Sequence, residues 1–194
     1  MSRSDGVTRN LFYNLIHSPA KYFMPIMHLL QRHARPIALL LAIGAFALVL
    51  VAVVLTHWLA LLPCHLCIFQ RVLHLAVGAT LLVAWASWSG KLIPFISLIQ
   101  TFAFSVAGLI AAGYQVWLQW HPLSSLGCGV GQQGWIERFV EMLSDWIPLL
   151  FMAGGLCEDD DLVILGLSIA VWSFLAFAGF LISSVTLIIV RKQK

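Results

Sequence analysis

Leu61-Leu62-Pro63-Cys64-His65-Leu66-Cys67-Ile68-Phe69-Gln70-Arg71 joins two apolar runs, each long enough to cross a bilayer. A hydrocarbon core about 30 Å thick takes about 20 apolar residues as a helix. Upstream, the run 36–60 has His57 as its one titratable group. Downstream, 66–88 carries Arg71 and His74. Two more runs follow, at 92–118 and at 164–190, the last without a charged residue. Pro36 and Pro94 are placed at helix starts, where a missing N–H is tolerated.

Composition agrees with four spans. The chain has 194 residues, 61% hydrophobic and 10% charged, with mean hydropathy +0.94. That excludes an ordinary soluble domain, and a net charge of +3 gives no reason to expect a nucleic-acid partner. The expected fold is an all-α membrane protein, a four-transmembrane-helix bundle. Residues 1–35 form a cytoplasmic N-terminal extension with an amphipathic pattern, 36–190 the membrane domain and 191–194 a cytoplasmic tail. No cleavable signal peptide is expected, because the basic first 35 residues lack a compact apolar run followed by a small-residue cleavage site.

Topology follows from the lysines and arginines. Arg3, Arg9, Lys21, Arg32 and Arg35 precede the first span, Lys91 lies between the second and third, and Arg191, Lys192 and Lys194 close the chain. With four spans these regions share one side, which the positive-inside rule makes cytoplasmic. The opposite side holds the 61–65 turn and the external loop 119–163. Within that loop Arg138 is the sole Lys or Arg, beside Glu137, Glu141, Asp145 and the acidic run Glu158, Asp159, Asp160, Asp161. All four cysteines (Cys64, Cys67, Cys128 and Cys157) therefore fall at the external face. Stable disulfides belong to an oxidising compartment such as the bacterial periplasm.

Inside the loop, Trp135, Ile136, Phe139, Val140 and Leu143 are spaced as one helix face, with Glu137, Arg138, Glu141 and Asp145 on the other. This predicts a short amphipathic helix, either lying in the membrane interface or packed as an ordinary loop helix. Pro148 ends it.

The cysteines carry the chemistry. Cys64 and Cys67 form a C-x-x-C at a helix start, and a bond across two residues adds little by chain entropy. Its usual value is reversible exchange. Haem attachment requires His after the second cysteine, and Ile68 stands there. Zinc would want a second close pair, and Cys128 and Cys157 are far apart in sequence. No metal is expected. Two pairs suggest an electron relay between disulfides, while a purely structural bond in the loop is an alternative for Cys128 and Cys157. Arg71 follows Cys67 by four residues, on one helix face. An arginine at mid-bilayer costs roughly 2.5–3.5 kcal/mol on insertion scales. Either it snorkels to the surface, or it favours the Cys67 thiolate and donates hydrogen bonds to an oxygen-bearing cofactor. His65 sits between the thiols, and His74 reads as a packed histidine.

Several strings together are more specific than a bare C-x-x-C. Cys64-His65-Leu66-Cys67-Ile68-Phe69-Gln70-Arg71 resembles the signature C-x-x-C-[IV]-[YF]-[EQ]-R of the DsbB family of bacterial inner-membrane quinone reductases. Gly113-Tyr114-Gln115-Val116-Trp117-Leu118-Gln119, then Pro122 and Cys128-Gly129, is similar to the end of that family's third span. Trp146-Ile147-Pro148 ahead of Cys157 matches its W-[VI]-P. The resemblance covers roughly 36–190. Two departures stand out: Gln115 where members often carry His, and the long 1–35 extension.

The resemblance implies a thiol:quinone oxidoreductase in the bacterial inner membrane, with both termini cytoplasmic and its cysteines at the periplasmic face. A periplasmic thioredoxin-fold partner of the DsbA type delivers electrons to the Cys128/Cys157 disulfide, with Cys128 as the sulfur attacked. They pass to Cys64/Cys67, and then to a quinone, ubiquinone or menaquinone, held near Cys67, Arg71 and Gln115. The competing class is a non-enzymatic four-helix scaffold or transporter subunit with a structural loop disulfide. A reductase of the vitamin K epoxide type shares the bundle, but there the C-x-x-C follows the loop cysteines instead of preceding them.

Overall fold

The computed structural model describes residues 19–121, 134–155 and 163–192. The elements are helices α1 (Pro19–Trp58), α2 (His65–Ala86), α3 (Leu92–Trp120), α4 (Trp135–Trp146) and α5 (Pro148–Phe151), strands β1 (Val163–Ile164) and β2 (Leu167–Ser168), and helix α6 (Ile169–Lys192). Four helices are long and apolar enough to cross a membrane: α2, α3, α6 and the His33–Trp58 part of α1. Lipid, not water, suits their outer faces. Leu40, Leu50, Ile110 and Ile182 are each about two-thirds exposed, and a helix satisfies its own backbone polar groups in hydrocarbon.

The four helices form a closed ring: α1 on α2, α2 on α3, α3 on α6, and α6 back on α1. The α1–α2 seam uses small residues. Ala34, Ala38, Ala42 and Ala45 are buried at helical spacing and share a core with Leu73, Val77, Leu81 and Ala84 of α2. Without a hydrophobic drive between helices in lipid, such close approach is what holds a bundle together. The α3–α6 seam repeats the device, because the ring of Phe177 occupies the space a side chain at Gly108 would need. The seam between α1 and α6 is the loosest of the four.

Two boundaries differ from the hydropathy reading. The first helix begins at Pro19 and runs through Pro36, which therefore lies inside a helix. A proline there removes one backbone donor and bends the helix, but the turns on both sides continue. The apolar run from Ile164 does not begin the last helix. Residues 163–168 form an antiparallel hairpin instead, with Val163 paired to Ser168. Leu165 and Gly166 turn it, both with positive φ (55° and 81°), the pattern of a tight two-residue hairpin. The Trp172 indole donates to the Ile164 carbonyl at 3.1 Å, fixing the hairpin to α6.

At the end away from Cys64, Arg191 donates to the backbone carbonyls of Trp88 and Gly90. This ties the end of α6 to the α2–α3 turn and gathers Lys91, Arg191 and Lys192 at one end of the bundle.

Candidate redox site

The junction quoted first is a helix start. Ala60, with φ 50°, reverses the chain after α1, and the Leu61 N–H bonds back to the Thr56 carbonyl at 3.0 Å. Pro63 cannot donate, and Cys64 caps α2 in extended conformation, its sulfur accepting from the Cys67 N–H at 3.3 Å. Cys67 thus sits in the first turn, where unpaired N–H groups and the helix dipole favour negative charge. The Cys64 thiol points at Cys67 Sγ, 2.9 Å away. Cys64 is buried and Cys67 half-buried.

A buried amide chain reaches these sulfurs from α3. Gln70 Nε2 donates to Gln115 Oε1 at 2.7 Å. Gln115 Nε2 in turn faces Cys67 Sγ at 3.0 Å and Cys64 Sγ at 3.5 Å. Both glutamines are almost wholly buried. The chain aligns two amide dipoles so that the last N–H points at sulfur, and a donor aimed at a thiolate is the stronger, charge-assisted kind.

Arg71 is held by acceptors on two neighbouring helices. Its guanidinium donates to the Thr56 hydroxyl, to the Ala52 carbonyl at 3.3 Å and to the Leu150 carbonyl at 3.4 Å. It bridges α1, α2 and α5, so its charge is met by protein acceptors. Thr56 returns its own hydroxyl proton to the Ala52 carbonyl at 2.6 Å.

The segment after α5 is laced to the same junction. The N–H groups of Gly154 and Gly155 donate to the Pro63 carbonyl at 3.0 and 3.3 Å. Any side chain at Gly155 would collide with the Leu62 carbonyl, so glycine permits the approach. Helix α4 covers the outer side. Ile136, Val140 and Leu143 pack with Ile68, Phe69 and Val72 of α2, and Trp135 meets the Phe69 ring edge-on at 5.5 Å.

A cavity of about 700 Å³ opens beside these groups, at the loose α1–α6 seam. Its polar lining includes Cys67, Arg71, His74 and Gln115, and most of the rest is aliphatic, from α1 and α6. Leu48, Val51 and Leu175 line it and are about half exposed on the lipid side. The hairpin tip, Ile164 and Leu165, forms one rim.

Cys64, Cys67, Arg71 and Gln115 therefore meet at one place. Cys128 and Cys157 lie outside the described residues. Sequence reasoning missed Gln70 and Thr56 as parts of this arrangement. Gln70 had a signal, being a polar residue within an apolar span three positions after Cys67; Thr56 had none beyond its hydroxyl.

A family model described as Disulfide bond formation protein DsbB matches residues 34–187. The chain belongs to the DsbB family. Among relatives called Disulfide bond formation protein B, that of Dechloromonas aromatica (strain RCB) is 38% identical over 156 residues, 79% of this chain and 91% of the relative. That of Nitrosomonas europaea is 38% identical over 148 residues, 75% of this chain and 88% of the relative. That of Ralstonia nicotianae is 32% identical over 168 residues, 85% of this chain and all of the relative. As a DsbB-family member with four apolar helices, the chain is a multi-pass membrane protein of disulfide bond formation. The matched region begins within α1 and includes the cysteine junction, the glutamine chain and α4.

Proposed function

We propose that this protein is a thiol:quinone oxidoreductase that reoxidises a periplasmic DsbA-type dithiol oxidase. Electrons enter at Cys128/Cys157, pass to Cys64/Cys67 and leave to a membrane quinone. The observation that carries the reading is the convergence of Cys67, Arg71 and Gln115 on a cavity open to the lipid side. A lipid-soluble acceptor would enter from there.

The residues present fit a quinone. The volume is in the range of small-molecule sites, the walls are mostly aliphatic, and Arg71 brings a rigid fork of N–H donors suited to a carbonyl oxygen. When bound, a quinone supplies the two-electron acceptor. The protein's own groups do the rest. The Gln115 amide and the start of α2 favour the thiolate of Cys67, the nucleophilic form. Closing the Cys64–Cys67 bond releases two electrons and two protons. Apolar walls keep water from the sulfurs.

The laced junction supports transfer between the two pairs. Cys157 is two residues along the chain from Gly155, whose N–H is bonded to Pro63. Two residues span at most about 7 Å.

Energetics ask for a strong acceptor. Structural disulfides lie below about −300 mV and DsbA near −120 mV, a gap of about 180 mV or roughly 8 kcal/mol for two electrons. An inert loop disulfide could not reoxidise such a partner, whereas coupling to a quinone pool can. The basic residues at the end opposite Cys64 support cytoplasmic termini, and thus periplasmic cysteines in a bacterial inner membrane.

Trapping tests the order of transfer. In Cys157→Ser, the lone Cys128 thiolate can attack the disulfide of an oxidised DsbA-type protein, forming a mixed disulfide and freeing one partner thiol; with no Cys157 to release it, this species should accumulate on non-reducing gels. Absence of any trapped species in Cys157→Ser, with wild-type partner turnover, would favour the non-enzymatic scaffold.

A further inference from the structure

His74 holds a buried nitrogen that nothing in the described protein uses. It lies on the face of α2 that carries Arg71, three residues away, and Cys67, seven residues away, and it lines the same cavity. The residue is 6% exposed. Its Nδ1 is 2.9 Å from the Gln70 carbonyl oxygen. A carbonyl only accepts, so Nδ1 carries the proton and the neutral ring keeps its lone pair at Nε2. Nε2 is buried and has no hydrogen-bond partner among the described residues. The ring is held from the other side by Phe177, with centroids 4.0 Å apart, and by the edge of Phe180 at 6.0 Å. Backbone bond and aromatic contacts together fix the ring in place.

A buried acceptor left unpaired is unfavourable. A carbonyl cannot satisfy it, because a lone pair repels another; a hydroxyl can. Resting on the quinone reading above, we propose that His74 Nε2 accepts a hydrogen bond from a hydroxyl of the bound hydroquinone, making it a specificity-determining residue for the reduced ligand. Arg71 and His74 then divide the ligand by chemistry. The guanidinium, which only donates, serves a carbonyl oxygen and a hydroxyl oxygen alike, whereas the imidazole lone pair serves only a hydroxyl. The site consequently discriminates between substrate and product through His74 rather than through Arg71.

The test is ligand binding to the oxidised full-length protein in lipid nanodiscs, without oxygen, by calorimetry. The probes are a short-chain ubiquinone, its quinol, and the quinol's dimethyl ether, which has no proton to donate. Wild type is expected to bind quinone and quinol. His74→Leu should weaken quinol binding by about tenfold, the scale of one lost hydrogen bond to a buried acceptor, and change quinone and dimethyl-ether binding by less than threefold. His74→Gln, which offers an acceptor oxygen, should recover part of the quinol affinity. Should His74→Leu not fold, the wild-type protein with ¹⁵N-histidine decides: quinol, but not quinone, should shift the Nε2 resonance assigned with His74→Gln. Equal loss of all three ligands in His74→Leu, or an Nε2 signal indifferent to quinol, would overturn the role of His74 and leave the quinone reading intact. Failure of the wild type to bind either quinone or quinol would overturn that reading, and this one with it.

Discussion

The Gln115 side-chain amide donates to Cys67 Sγ at 3.0 Å across the α2–α3 seam, and Gln70 holds that amide from the other end at 2.7 Å. A neutral pair thus does what a charged neighbour does in many reactive-thiol sites. It offers a fixed donor to sulfur beside the charged Arg71 without placing a second ion in the bundle, where an ion would be expensive.

Gln115→Leu removes the donor and should slow alkylation of Cys67 by iodoacetamide about tenfold at neutral pH, as expected for loss of a hydrogen bond to a charged group worth about 1.5 kcal/mol. Mass spectrometry of the Cys67 peptide over time gives the rate. An unchanged rate would mean that the amide does not favour the thiolate.

Gln70→Ala leaves Gln115 Oε1 buried without its donor. The expected loss is about 1–3 kcal/mol of stability, read as a lower midpoint of thermal unfolding in detergent. Cys67 alkylation should fall less than in Gln115→Leu, since the Nε2 donor survives but is no longer aimed.

Arg71→Lys keeps the charge and loses the fork. One ammonium cannot span the Thr56 hydroxyl and the Ala52 and Leu150 carbonyls as the guanidinium does. The apparent quinone KM should rise about tenfold or more, equal to at least ~1.4 kcal/mol where KM tracks affinity. The KM for the dithiol partner should hardly move. A normal quinone KM would assign the cofactor contact to another residue.

The four spans and the C-x-x-C at a helix start were legible because they are local. Hydropathy over a window marks a span, and a four-residue spacing puts Cys67 and Arg71 on one face. The contacts of Arg71 were not legible, since its acceptors include the Ala52 and Leu150 carbonyls, and every residue has a carbonyl. The Gln70–Gln115 pair joins residues on different helices, and no periodicity reports such a contact. The 163–168 hairpin was hidden because Val163, Ile164, Leu165 and Leu167 are as apolar as the helix they precede. The helix over 19–35 was legible as an amphipathic pattern, but its continuity with the first span through Pro36 was not, because a proline reads as a helix start.

Gly155→Ala should disturb the lacing of the loop to Pro63, because the added methyl meets the Leu62 carbonyl. Turnover driven by the DsbA-type partner should fall about tenfold or more, the scale of small misplacements of reacting groups. Quinone reduction driven by dithiothreitol in a Cys128→Ser/Cys157→Ser background, which reports on the C-x-x-C alone, should be less affected by the same change. Equal effects on both assays would place Gly155 in general stability instead.

The most direct measurement follows quinol absorbance when purified protein in lipid is mixed with a reduced DsbA-type dithiol and ubiquinone or menaquinone. Quinol should accumulate in step with oxidation of the partner, one per disulfide, and Cys67→Ser should abolish it while the partner still reacts with Cys128/Cys157. No quinol from the wild type, or equal turnover in Cys67→Ser, would contradict an electron path through the C-x-x-C to a quinone.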